Sequence, residues 1–243
     1  MTTAAINTPT QPRLILDLND LWAHVEELTR AADPHGTLPP VMGGGETCRP
    51  RLAFVFINPT IRNASTREGW NGPRWPFIGT RAVWRVFARA SLLPETLAEA
   101  IAARRKWDET FAQQVYAVVR AHGLYLTNLV KWTGPNGDLP STHLIRTYRG
   151  VLKRELELVQ PQAVVAFGGM THRALTGSTV RLADILAHLR TTGTVPATRA
   201  SGLGLPVYPC YFPVGRGNPR AAAEILAALA SERRWRPEKR VPK

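Results

Sequence analysis

Short apolar runs alternate with helical patterns along this chain, and the alternation constrains its fold more than any other feature. Four runs are rich in β-branched and aromatic residues, and they cover positions 52–57, 124–130, 163–167 and 207–212. Helical periodicity occurs before, between and after them, at positions 17–32, 81–93, 95–121, 142–159, 171–175, 181–189 and 219–235. Strands that alternate with helices form a parallel sheet with both faces covered. We therefore predict an α/β three-layer sandwich with a central, mainly parallel four-stranded sheet.

The chain is long and apolar enough to form one complete hydrophobic core. It has 243 residues, of which 44% are hydrophobic. We predict a single domain over residues 13–232, between a disordered segment 1–12 rich in Thr, Pro and Ala and a basic tail 233–243. The sequence contains neither an apolar run of about 18 residues nor a secretory leader. We expect a cytoplasmic monomer that does not contact membranes.

The cysteine content argues against a metal centre. Cys48 and Cys210 are the only two cysteines, which is too few for a four-thiolate cluster and gives no CxxC zinc motif. The six histidines are scattered along the sequence without the spacing of metal ligands. We predict neither a metal nor any other cofactor.

A strong positive charge indicates the class of partner. The net charge is +13 and the sequence pI is about 10.8. The segment 233–243 contributes +5 of this charge, so the remaining chain still carries +8. A polyanion is the expected partner, and nucleic acid is favoured over membrane because no amphipathic basic helix stands out. The charge leaves open an arginine-rich protein that has no such partner.

Unusual polar residues follow three of the four predicted strands. They occur in "INPT" (57–60), "TNLVKW" (127–132) and "YFPVGRGNP" (211–219). Ligands of open α/β sheets bind beyond the carboxyl ends of the strands. Asn58 places an uncharged amide at a strand tip, where it fits either an Asx-type turn or a ligand contact. Asn128 closes an apolar strand, and a buried amide requires hydrogen-bond partners.

The motifs "FINPT", "WPFIG", "YLTNLVKW" and "YFPVGRGNP" occur in this order between about residues 50 and 230. In combination they resemble the uracil-DNA glycosylase superfamily. The "INP" sequence is similar to the mismatch-specific branch, whereas "PFIG" and "TNLVKW" are similar to the thermostable iron-sulfur branch. The resemblance implies a DNA repair glycosylase that flips out uracil or a related deaminated base and cleaves its N-glycosidic bond.

The resemblance also implies roles for individual residues. Phe77 matches the aromatic residue that stacks on the base, and Asn128 matches the amide that reads the base edge. Asn58 matches the residue that positions water, although an amide cannot act as a general base. Phe212 lies in the base-binding motif where the family usually has histidine. Arg216 is therefore the predicted substitute donor to the departing base.

The sequence departs from the family at two further points. Thr60 stands where the mismatch-specific pattern has glycine, and the four cysteines of the iron-sulfur branch are absent. Together with Phe212, these departures leave open a non-catalytic protein that kept the fold and binds damaged DNA or other nucleic acid. The sequence "FGGMTH" fits a tight strand-to-helix turn or a phosphate cradle. The predicted DNA contacts are Arg62, Arg74, Lys131, Gly215, Gly217 and Asn218.

Overall fold

The computed structural model describes residues 15–33, 35–36, 38–215 and 217–232. The predicted disordered segment 1–12, the predicted basic tail 233–243 and the candidate donor Arg216 lie outside these ranges. The predicted final helix, 219–235, is described only as far as Glu232, and it ends at Ser231.

The described residues form one mixed sheet of six strands, in the order β1-β3-β2-β4-β6-β5. The strands are β1 (Gly44–Gly45), β2 (Leu52–Phe56), β3 (Leu124–Asn128), β4 (Val164–Phe167), β5 (Thr198–Arg199) and β6 (Pro206–Cys210). The four predicted strands form the central block, and every pairing within that block is parallel. The prediction of four strands is wrong in number, because β1 and β5 add a short antiparallel strand at each edge.

Eight α-helices and one short 3₁₀ helix occur in the described ranges. They are α1 (Leu18–Ala32), the 3₁₀ helix (Ala64–Thr66), α2 (Ala82–Arg89), α3 (Glu95–Ala103), α4 (Glu109–Ala121), α5 (Thr142–Val159), α6 (Gly169–Thr176), α7 (Leu182–Thr192) and α8 (Pro219–Ser231). The single helix predicted over 95–121 is thus two helices. Asp108 separates them, because its carboxylate accepts a hydrogen bond from the Phe111 amide at 2.7 Å and so caps a new helix.

Both faces of the sheet are buried under helices. All five residues of β2 are buried, with Phe54 and Phe56 on one face and Ala53 and Val55 on the other. Side chains from α2, α3, α4, α7 and α8 cover the phenylalanine face, whereas α1, α5 and α6 cover the opposite face. Burying one Leu or Phe side chain contributes about 1.5–3 kcal/mol. The sequence therefore folds into three layers, as the alternation predicts.

The parallel register brings the carboxyl ends of the central strands to one edge. Phe56 at the end of β2 is aligned with Asn128 at the end of β3, and Phe167 of β4 is aligned with Cys210 of β6. Asn58 follows β2 by two residues. The segments that carry the sequence motifs therefore share this edge of the sheet.

Candidate active site

Phe56 lies at the centre of the carboxyl edge and contacts the aromatic residues of three other segments. Its ring stacks on Phe167 with a centroid distance of 4.3 Å. Phe77 packs edge-on against it at 4.5 Å, and Phe212 does so at 6.0 Å. Phe77 and Phe212 are both half-buried. The two aromatic residues predicted to bind the base, 135 positions apart, thus contact the same ring.

Asn128 is a buried amide that lacks a full set of partners. It is only 2% exposed, and its Nδ2 has no hydrogen-bond partner among the described residues. By strand alternation its side chain is on the face of Leu124 and Leu126, which is also the face of Phe56. An unsatisfied buried polar group costs about 1–3 kcal/mol. This cost is removed when a ligand supplies the missing acceptor, and an amide offers a donor and an acceptor together.

Asn58 is held in a fixed orientation by two backbone carbonyls. Its Nδ2 donates to the oxygens of Pro59 and Asp138, each at 3.0 Å. Because carbonyl oxygens only accept hydrogen bonds, the side-chain atom that faces them must be the amide nitrogen and not Oδ1. Oδ1 receives no hydrogen bond from the described part of the chain, so the Asx-type turn is not formed. The acceptor is therefore available to a water molecule or a substrate.

The loops that follow β2 and β3 are joined beside Asn58. The Gly134 amide donates to the Pro59 carbonyl at 3.0 Å, and Thr60 forms a parallel bridge with Gly134. Thr60 thus belongs to the junction between the loops. Each loop also presents an exposed aliphatic side chain, Ile61 at 47% and Leu139 at 65% exposure. Sequence reasoning missed this pair, because exposure cannot be inferred from an isolated Ile or Leu in a loop.

Phe77 has an unusual backbone conformation. Its φ of 61° lies in the left-handed region, which a bulky side chain rarely occupies. Three hydrogen bonds to its carbonyl hold it there: the Thr80 amide at 3.1 Å, the Thr80 hydroxyl at 2.8 Å and the Trp84 indole at 3.3 Å. Strain that the surroundings maintain in this way is typical of functional positions. The sequence "WPFIG" contains no signal that predicts the left-handed conformation of Phe77.

The segment after β6 forms a tight turn in which two predicted DNA contacts have structural roles. A Cβ at Gly217 would overlap the Phe212 carbonyl, so this position requires glycine. Asn218 caps α8, because its side chain accepts from the Ala221 amide at 3.1 Å. Gly215 is exposed with a φ of 60° and has open space around it. The predicted DNA contacts of Gly215, Gly217 and Asn218 and the predicted role of Arg216 stay predictions.

Lys131, which is predicted to contact DNA, is fully buried in this structure. Its ammonium donates to Glu155 Oε2 at 2.5 Å, to the Thr127 hydroxyl at 2.5 Å and to the Asn128 carbonyl at 2.6 Å. Glu155 also accepts from the Tyr125 hydroxyl at 2.8 Å. Burial lowers the pKa of Lys131, while the carboxylate of Glu155 raises it. The lysine therefore supports the turn that follows β3.

The two arginines near the first motif occupy different surroundings. Arg62 is exposed on the loop after β2, next to Ile61. Arg74 is half-buried, and its Nε is buried without a partner in the described residues. It lines a concavity of about 310 Å³ together with Asp33 and Pro39. Both positions are compatible with the predicted phosphate contacts, which nothing in the structure tests.

Within the described ranges, no group of three or more His, Cys, Asp or Glu residues is arranged to hold a metal ion. Among the same residues, no helix combines the length and apolar character that crossing a bilayer requires.

A comparison with protein families gives one match that covers this site. The family model described as the Uracil DNA glycosylase superfamily matches residues 42–230. The matched span contains all six strands and every candidate site residue from Asn58 to Asn218. No curated protein matches the chain. The resemblance predicted from the four motifs is confirmed at the level of the superfamily.

Proposed function

We propose that this chain, which belongs to the uracil DNA glycosylase superfamily, removes uracil or a related deaminated base from DNA. The observation that carries the proposal is the unpartnered Nδ2 of Asn128, buried at the strand edge beside the aromatic cluster of Phe56, Phe77 and Phe212. A flipped base supplies what this edge lacks, because it offers a flat ring to the aromatic side chains and polar atoms to the amide. The positive charge favours a nucleic acid as the source of that base.

Base selection follows from the chemistry of the amide. The Watson–Crick edge of uracil presents carbonyl acceptors and one N–H donor, which a single amide can bind through its nitrogen and its oxygen. Asn128 Nδ2 then donates to a base carbonyl and satisfies its own hydrogen-bonding requirement. Phe77 and Phe212 are the candidates for stacking, a contact worth about 1–3 kcal/mol per base.

Asn58 is proposed to orient the attacking water. An O–H group of the water donates a hydrogen bond to Asn58 Oδ1, and the water oxygen forms the new bond to C1′ of the deoxyribose. The bond from C1′ to the base nitrogen breaks, and its electron pair leaves with the base. The water proton passes to solvent or to the departing base, because an uncharged amide does not accept it at neutral pH.

Stabilisation of the departing base anion must come from hydrogen-bond donors. The phenyl ring of Phe212 has none, although it stands at the position of the family histidine. Asn128 Nδ2 is one donor aimed at a base carbonyl, where negative charge grows. The predicted second source is the Arg216 guanidinium together with the Gly215 amide, since the Gly217 amide already donates to the Val214 carbonyl at 3.1 Å.

A non-catalytic damage-binding protein is the second candidate, and the substitution of the family histidine by Phe212 favours it. Such a protein would use Asn128 and the aromatic cluster to hold a flipped base without breaking the glycosidic bond. Either function needs a side chain that fills the gap left in the base stack, and apolar wedges commonly do so. We propose Leu139 for this role, because it is exposed and follows directly on Asp138, the partner of Asn58.

Single-turnover cleavage tests the proposal. Oligonucleotides that carry uracil, hypoxanthine or xanthine, single- or double-stranded, are incubated with excess protein, and abasic sites are measured. We expect cleavage of at least one base, with a loss of about 10²- to 10³-fold in Arg216→Ala, the usual cost of removing one preorganised donor. Arg220→Ala, a neighbouring exposed cation, is the control and should retain the parent rate.

One result would decide against the catalytic proposal. Absence of cleavage on every base, together with tight binding of the damaged strand, would support the non-catalytic candidate. A gain of cleavage in Phe212→His would add that the missing histidine is the cause.

A further inference from the structure

A basic surface that is separate from the candidate active site lies on the side of the sheet covered by α5 and α6. It is a concavity of about 360 Å³ between these two helices and the turn at Ser201 and Gly202. The lining includes Arg146, Arg149 and Lys153, and it contains no carboxylate. None of the lining residues belongs to the candidate active site. We refer to this concavity as the α5–α6 groove.

The three cations of the groove are not neutralised by nearby acids. Arg146 and Arg149 are exposed and have no ion pair with any residue that the structure describes. Lys153 Nζ lies 3.9 Å from Glu157 Oε1, and half of its side chain is exposed. An exposed pair at this distance is worth little. The groove therefore keeps a local excess of positive charge that can attract an anion.

Gly150 leaves the backbone of α5 accessible in this groove. It lies inside α5 and lines the groove, yet a Cβ at this position would meet no atom within 4 Å. No described neighbour therefore requires a glycine there. Glycine inside a helix costs about 0.5–1 kcal/mol relative to alanine. Its absent side chain leaves the helix backbone open in the middle of the cationic groove, where a ligand can approach closely.

We propose that the α5–α6 groove binds backbone phosphates of the duplex that flanks the base site, which rests on DNA as the proposed substrate. Arg146 and Lys153 are seven residues apart, and a helix rises about 1.5 Å per residue, so they span about 10 Å. That distance equals roughly three nucleotide rises along one strand. α5 begins near the carboxyl edge, because it follows the parallel strand β3, and Arg146 is in its second turn. The groove continues along α5 to the last turn of α6 and the turn before β6, away from that edge. A strand that leaves the base site can thus reach Arg146 first and follow α5 toward Lys153.

The salt dependence of DNA binding tests this proposal. The groove variant carries Arg146→Gln, Arg149→Gln and Lys153→Gln. The matched control carries Arg85→Gln, Arg89→Gln and Lys106→Gln, which removes the same charges from exposed positions on α2 and the segment before α4. Affinity is measured against salt concentration for a long undamaged duplex and for a short hairpin that covers only the base site.

For the long duplex, the negative slope of log affinity against log salt should become shallower by about 2–3 in the groove variant, since each phosphate contact contributes about −0.9. The control variant should have the same slope as the parent protein. The two variants should bind the hairpin with equal affinity. Equal decreases in the two variants would overturn the proposal, because the effect would then reflect net charge alone. The groove variant could instead lose the same affinity for the hairpin as for the duplex, with inorganic phosphate competing with DNA only in the parent protein. That result would indicate a small phosphate ligand and would also overturn the proposal.

Cleavage of a short uracil-containing oligonucleotide separates this proposal from the proposed function. The groove variant should cleave it at the parent rate, because its substitutions lie outside the base site. If the parent protein cleaves nothing while the slope difference persists, the groove proposal stands and the glycosylase proposal fails.

Gly150 provides a second test, with one variant for stability and a pair of variants for binding. Gly150→Ala should raise the Tm by about 1–4 °C, because it improves helix propensity without a clash. Gly150→Glu should weaken binding of the long duplex about tenfold relative to Gly150→Gln, since it places a negative charge in the groove. Equal affinities of the Glu and Gln variants would contradict a phosphate ligand at this position.

Discussion

Thr127 and Asn128, the last two residues of β3, face opposite sides of the sheet, and their side chains differ in hydrogen bonding. The Thr127 hydroxyl donates to Glu155 at 2.7 Å and accepts from Lys131 at 2.5 Å. On the other face, Asn128 Nδ2 has no partner among the described residues. The first group is fully satisfied by the fold itself. The second is buried at a cost that the fold does not offset, which is the pattern expected of a group aimed at a ligand.

The face of the sheet that carries Thr127, whose hydroxyl is fully hydrogen-bonded, is called the satisfied face, and the face that carries Asn128 is called the open face. The satisfied face also supports the open face. Lys131 donates to the carbonyl of Asn128 itself, at 2.6 Å, and so fixes the backbone from which the amide projects. A buried ion pair is weak evidence for stability, because desolvation opposes the attraction between its charges. We infer that the pair of Lys131 and Glu155 holds the geometry of the strand end. Disturbing either face should therefore give a different phenotype.

The largest expected effect is on the satisfied face. Glu155→Ala should lower the free energy of unfolding by about 3–5 kcal/mol, because it leaves the ammonium of Lys131 buried without a counter-charge. Urea unfolding measures this loss. The matched control is Glu155→Gln combined with Lys131→Met, which removes both charges and should recover at least half of the loss. A loss below 1 kcal/mol, on the order of an exposed pair, would contradict the buried network.

On the open face, substitution of Asn128 should reduce selectivity for the damaged base and leave the stability of the protein nearly unchanged. Asn128→Ala should reduce discrimination between the preferred damaged base and undamaged DNA by about 10- to 100-fold, since polar atoms of the bound base lose their partner. The free energy of unfolding should change by less than about 1 kcal/mol, because the cavity left by the truncation offsets the gain from removing the unpaired Nδ2. Competition binding and urea unfolding measure the two quantities. Equal weakening on damaged and undamaged DNA would refute base recognition by Asn128.

Thr127→Val sharpens the comparison, because it changes the adjacent residue at nearly constant shape. It should lower the free energy of unfolding by about 1–3 kcal/mol, since Glu155 and Lys131 each lose a buried partner. Discrimination between bases should stay within about twofold of the parent, as the hydroxyl is on the face away from the base. The same two measurements apply. A large change in discrimination with unchanged stability would reverse the roles assigned to the two faces.

The smallest expected effect concerns His172, a buried side chain of α6 whose Nε2 also lacks a partner in the described residues. Burial lowers the pKa of His172 below 6.5, against the Ser178 carbonyl that accepts from Nδ1 and raises it. The unfolded chain then binds more protons below pH 6.5, so stability should fall as pH decreases from there to the folded pKa. The slope cannot exceed about 1.4 kcal/mol per pH unit.

Urea unfolding between neutral and mildly acidic pH measures this dependence, and His172→Gln should remove its share of it. Base discrimination should be unaffected, because His172 lies outside the aromatic cluster. A change in discrimination in His172→Gln would show that unpartnered groups beyond Asn128 also serve the ligand.

The central strands and most helices could be predicted because apolar periodicity records burial. β1 escaped prediction, since Gly44 and Gly45 carry no strand signal and pair only through tertiary contact. The contact of Asn58 with Asp138 joins residues 80 positions apart, and no local pattern encodes it. Lys131 is predicted to contact DNA, and its burial does not follow from its residue type, since lysine is rarely buried.

The sequence gives no local signal for the burial of Lys131. β3 ends at Asn128, and Leu129 and Val130 are both buried on the same face, so strand alternation does not extend to Lys131. What the sequence does not show is that Glu155, 24 residues later, reaches the same point. Charge compensation inside a core depends on such distant partners. Residue type alone therefore predicts the wrong location.

The two short edge strands have a consequence for self-association. A parallel block of four strands with bare edges would present long rows of unpaired amides and carbonyls, which template pairing with another chain. β1 and β5 cover these edges with only two paired residues each, too few to guide a further strand into register. At β1 a side chain on Gly44 would strike the indole of Trp75. Substitution there should therefore displace the cover and expose β3 to aggregation.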